Sequence, residues 1–165
     1  MASFGFICFY SREQVGQFER NSVDTVLGLA DRTSDMWRFL TQIENTSQSS
    51  PLYLRVCSRL GLAGYGLGAN AVLRYASIFR NQRDLKFIAP FHPRQIQRRV
   101  IAGLDGRLPI LTGTGDQDTL SPELELFESM ESARSPTLMV VLNGTKKKSP
   151  SSSSDPSRIL AQIST

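Results

Sequence analysis

Short apolar runs alternate with stretches of helical period along most of this sequence, and that rhythm admits few folds. Phe4 to Tyr10, Leu60 to Ala63, Leu85 to Ala89, Pro109 to Thr114 and Thr137 to Leu142 are strand-length and apolar. The first reads as a strand covered on both faces. Between them, Val23, Val26, Leu27 and Ala30 fall at i, i+3, i+4 and i+7, and Met36, Phe39, Leu40 and Ile43 repeat the spacing, which predicts one long or broken helix. Ala69, Val72, Leu73 and Ala76 form a second helical stripe. A further helix is predicted to open at Ser121 and Pro122, with serine at the N-cap, proline at the first helical position, and Glu123 and Glu125 where the helix dipole favours acids. Proline is expected to stop the third strand at Pro90. Strands separated by helices in this order predict an α/β fold whose mostly parallel sheet of about five strands is joined by right-handed crossovers.

Composition narrows the function classes. A chain of 165 residues, 40% hydrophobic and 21% charged, has the makeup of an ordinary globular domain. The predicted domain spans 1–148, followed by a serine-rich linker at 149–155 and a tail or short helix at 156–165. The net charge of +4 owes much to Arg94, Arg98, Arg99 and the Lys146 to Lys148 run. No aromatic residues interleave with them as in a single-strand binder, so they read as solvated surface and no nucleic-acid partner is expected. No run approaches the ~18 apolar residues of a membrane span, and Met1 to Tyr10 has neither a basic leader nor a cleavage site, so no signal peptide is expected. The cysteines, Cys8 and Cys57, have no ligand spacing, and His92 is the single histidine, so neither a metal nor another cofactor is expected. Cys8, in an apolar run, reads as a small buried hydrophobe.

The segment Leu60-Gly-Leu-Ala-Gly-Tyr-Gly-Leu-Gly-Ala-Asn-Ala-Val-Leu73 says most about chemistry. A strand, a glycine turn and a helix can cradle phosphate. Here Gly64, Gly66 and Gly68 lack the spacing of a dinucleotide fingerprint, and no lysine follows as in a P-loop. The other reading is a nucleophile elbow, Gly-x-Ser-x-Gly, with Gly64 and Gly68 as the flanking glycines and Gly66 where serine belongs.

The flanking sequence favours the elbow. Met1 to Ile7, Pro51 to Ala76, Asp84 to Pro93, Leu108 to Pro122 and Val141 to Pro150 resemble, in order, successive segments of the dienelactone-hydrolase and cutinase-like polyesterase branch of the α/β-hydrolases. The resemblance implies a partial α/β-hydrolase fold that starts at the family's fourth strand, with the early strands missing. It places the nucleophile position on Gly66, the triad acid on Asp118 and the histidine position on Lys147, and it makes the Leu67 backbone N–H an oxyanion donor. His92 and Arg94 fall on a substrate-side loop, Arg94 where polyesterases often carry an aromatic that touches substrate.

In such a triad a serine oxygen attacks the ester carbonyl, histidine takes its proton and the acid orients the histidine. Gly66 offers no nucleophile. Lys147, with a reference pKa of about 10.4, holds no free lone pair at neutral pH beside a serine tract. Asp118 and Lys147 reduce to an ion pair worth about 0–1 kcal/mol if exposed. The family's second oxyanion donor comes from a loop before its fourth strand, and lacking it costs ~10²–10³ in rate. The expected function is therefore that of a carboxyl-ester hydrolase relative without catalysis. The competing expectations are an active hydrolase using an unrecognised nucleophile or an additional N-terminal segment, with His92 as a displaced base, and a module that binds a small ester, an apolar ligand or a protein partner. An unpaired leading sheet edge predicts homo-oligomers. Light scattering tests this: a dimer mass is expected, and a monodisperse monomer excludes it.

Overall fold

A computed structural model describes residues 8–9, 23–79, 83–94, 98–117 and 123–143. Four strands, β1 (Leu60–Tyr65), β2 (Leu85–Phe91), β3 (Ile110–Gly115) and β4 (Thr137–Leu142), form one sheet in the order β1-β2-β3-β4, and every pairing is parallel. The connections carry α2 (Leu67–Ile78), α3 (Arg98–Ala102) and α4 (Glu123–Glu131). Before β1, α1 (Val23–Arg38) runs directly into a π-helical segment, Phe39–Glu44, which is the long, broken helix that the spacing predicts. The fold is an α/β arrangement of parallel sheet and flanking helices.

The core lies on one face of the sheet. Leu62, Ile88 and Ile110 point to the same side and join Val72, Leu73, Tyr75 and Ala76 of α2, Ile101 of α3, and Leu126 and Met130 of α4 in one buried cluster. α1 packs on α2 and adds Ala30. The strand order explains why all the connecting helices share that side. Right-handed crossovers between strands laid down in a single direction put every helix on the same face.

Three expectations are corrected. Pro90 does not stop β2, which continues to Phe91 with Pro90 paired to Gly64 and Phe91 to Tyr65. The proline lacks an N–H, and β2 pairs with β3 only on either side of it, at Ile88–Ile110 and Phe91–Gly113, while its carbonyl accepts a hydrogen bond from Thr112 Oγ1 at 2.7 Å and its ring is fully buried. Cys8 is exposed rather than buried. Cys8 and Phe9, the described residues of the first apolar run, lie in neither helix nor strand, and a side chain is buried only where another element covers it. The rest of that run, the linker and the tail lie outside the described residues. Finally, α3 forms where the sequence reading finds only surface charge, because Val100, Ile101 and Leu104 anchor it against the core.

Candidate functional site

The four strands end at a common edge, and the loops leaving their carboxyl ends converge there, which is where ligands bind in open parallel sheets. The turn from β1 into α2 is the tightest part of that edge. Gly66 is its pivot: buried, with φ 61° and ψ −116°, it is the one described glycine in the left-handed half of conformational space. A side chain there would carry strain of order 1–3 kcal/mol. A strained strand-to-helix turn of this kind is what a nucleophile elbow requires, and here it is built around a residue with no side chain.

The flanking glycines have different duties. A Cβ on Gly64 would fall 2.3 Å from the Gly68 carbonyl oxygen, so the strand and the first turn of α2 cross too closely for any side chain. A Cβ on Gly68 would meet nothing within 4 Å. Leu67 opens α2 and is half-buried, and its backbone N–H is one of the first-turn donors that have no i−4 carbonyl within the helix.

The loop after β2 lies against this turn. The Gly66 N–H donates to the Phe91 carbonyl at 3.0 Å, joining the elbow to the end of β2. His92 follows with φ 48°, a conformation that histidine tolerates better than most side chains. Its N–H donates to the Gly113 carbonyl at 2.8 Å, and its ring lies against Tyr65 with centroids 5.0 Å apart. His92 is only 7% exposed. It is thus a built part of the wall rather than an open loop histidine, because Tyr65 and the β3 backbone hold it in.

Arg94 is pinned by a residue that the sequence reading passes over. Asn70, in the first turn of α2, accepts the Arg94 N–H on Oδ1 at 2.8 Å and donates from Nδ2 to the Arg94 carbonyl at 2.6 Å. The amide thereby closes both main-chain groups of one residue across the site. Its signal is faint but present: Asn70 is the lone polar side chain in the run Ala69 to Leu73.

The structure brings Gly66, Leu67, His92 and Arg94 together. Asp118 and Lys147 lie outside the described residues. The segments leading to them do leave from the same end of the sheet, since the Asp116 N–H donates to the Leu142 carbonyl at 3.2 Å across the last rung of β3 and β4. Among the described residues no group of three or more histidine, cysteine or acidic side chains could hold a metal ion, and no helix is long and apolar enough to cross a membrane.

The sequence profile of the dienelactone hydrolase family matches residues 2–141. No curated protein matches the chain. The matched span contains the elbow, the loop with His92 and Arg94, and Asp118, and it ends six residues before Lys147. A parallel sheet, a glycine-bracketed elbow with a left-handed pivot, and a profile match over most of the sequence converge on one assignment: the chain belongs to the dienelactone hydrolase family of α/β-hydrolases.

Proposed function

We propose that this chain is a non-catalytic relative of the carboxyl-ester hydrolases, akin to the cutinase-like polyesterases, with the turn of the active site kept and its reacting atoms lost. The observation that carries this reading is Gly66, whose φ of 61° and ψ of −116° are those of a strained pivot, at the position bracketed by Gly64 and Gly68. An elbow exists to thrust a nucleophilic oxygen above the sheet. With hydrogen in place of a side chain there is nothing to attack a carbonyl carbon, and no acyl-enzyme can form.

The remaining positions support the same reading. Lys147, at the position aligned with the base, is an ammonium at neutral pH and accepts no proton. Asp118 then has no imidazole to orient. Glycine at the pivot also relieves the strain that a serine would carry, so this loss of chemistry does not weaken the fold.

Hydrolysis of a p-nitrophenyl ester tests the reading. The expected rate is that of buffer alone, for the chain and for its Asp118→Ala variant alike. Turnover above buffer that vanishes in Asp118→Ala would overturn the proposal in favour of an active hydrolase with another nucleophile.

A further inference from the structure

Between α1 and β1 the chain holds apolar side chains out in solvent. Phe39 is 46% exposed and Ile43 54%, and they stand four positions apart, hence on one side of the π-helical segment. Leu54, at 73%, is the most exposed large apolar side chain among the described residues. It lies beside the end of that helix, where its N–H donates to the Asn45 carbonyl at 3.0 Å. Its φ is 55°, left-handed backbone that side chains with a Cβ rarely adopt. Neighbouring bonds hold it so: the Arg55 N–H donates to the Leu52 carbonyl at 2.9 Å, and the Val56 N–H to Asn45 Oδ1 at 2.9 Å. Backbone strain and an apolar side chain in water both count against the fold in isolation. Together at one residue they point to a contact made with something else.

The charges beside these side chains indicate what that is. Arg38, Arg55 and Arg59 are all exposed. The single acid between Arg38 and Arg59, Glu44, is half-buried and accepts the Ser50 hydroxyl at 2.6 Å. Asn45 to Ser50 is polar and uncharged. We propose that the stretch Arg38 to Arg59 docks on an anionic lipid surface, with Leu54, Ile43 and Phe39 entering the boundary of the acyl chains and the arginines meeting the head groups. A projecting side chain needs a preformed pocket in a protein, whereas a lipid interface deforms around it. Such adsorption to one side of a bilayer needs no spanning helix. This inference is independent of whether the chain is catalytic.

Co-sedimentation of the full chain with vesicles tests the docking. Vesicles of phosphatidylcholine with about one-third phosphatidylserine are expected to bind it, and phosphatidylcholine alone about tenfold more weakly. Leu54→Gly removes the side chain and suits the φ of 55°, so the melting temperature is expected to hold or rise while binding weakens about fivefold. Arg55→Glu is expected to weaken binding to the mixed vesicles about tenfold and to leave the weak binding to neutral ones unchanged. Leu124→Ser, at a leucine 67% exposed on α4, is the control and is expected to change neither. Equal binding by the parent chain and Leu54→Gly, or an equal loss in Leu124→Ser, would overturn the proposal. So would a failure to bind the mixed vesicles, which would turn Leu54 over to a protein partner.

Discussion

Replacing Gly64 by alanine is expected to destabilise the fold by about 3 kcal/mol or more, a large share of the roughly 5–15 kcal/mol available to a small domain. The new Cβ would lie 2.3 Å from the carbonyl oxygen of Gly68, 2.4 Å from its carbon and 2.8 Å from the nitrogen of Ala69. All three are main-chain atoms of the first turn of α2, so no side chain can rotate aside. The helix has to lift from β1, and it carries Val72, Leu73, Tyr75 and Ala76 of the core with it. Gly68→Ala is the matched control. Its Cβ meets nothing within 4 Å, and alanine in the first turn of a helix is expected to add about 0.5–1 kcal/mol of stability. Denaturant melts of the two variants should move in opposite directions. Coincident midpoints would show that strand and helix do not cross as closely as described.

Asn70→Ala has the next largest expected effect, a loss of about 1–3 kcal/mol. The amide bridges both main-chain groups of Arg94, and alanine removes both of these bonds in a half-buried loop. The expected fall in Tm is about 2–4 °C per kcal/mol for a chain of this size. Asn70→Asp separates the two bonds. A carboxylate still accepts the Arg94 N–H, but it faces the Arg94 carbonyl with no proton to give. It is therefore expected to recover less than the full loss. Amide exchange at Arg94 supplies the local readout and should quicken in Asn70→Ala, where the loop after β2 is released from α2. An unchanged Tm with slow exchange at Arg94 would mean that the loop is held by other contacts.

These two substitutions bear on function as well as stability. Gly64 sets how near the strand comes to the helix, Gly66 sets the backbone angle between them, and Asn70 ties the turn to the loop that carries His92 and Arg94. Together they fix the geometry of the turn and of the loop against it. That they persist around a glycine pivot is what the proposed loss of catalysis predicts, because the turn is woven into the core through α2 and cannot be dismantled without unfolding it. In the proposed reading the attacking oxygen makes no such contribution to the core, so losing it would remove chemistry and leave the packing in place.

Much of this arrangement is legible in the order of residues. The spacing of Ala69, Val72, Leu73 and Ala76 marks the face of α2 that the structure buries, and Thr137 to Leu142 is β4 to the residue. The bracketing glycines single out Gly66 before any backbone angle is known. These properties are local, since a helix or strand repeats its contacts every few residues and leaves that period in the chain.

Other features were settled only in three dimensions. A proline inside β2 is accommodated because β3 pairs with β2 on either side of it, at Ile88 and Phe91, and a threonine twenty-two residues later satisfies its carbonyl. His92 is buried because Tyr65 and Gly113, from two other strands, close around it. Asn70 matters because Arg94, twenty-four positions away, lies within its reach. That no described helix lies over Phe87, Leu138 and Val140 likewise leaves no mark in the strands, which carry apolar residues on both faces. Apolar period records that a residue seeks cover, whereas the handedness of the crossovers decides which side receives it.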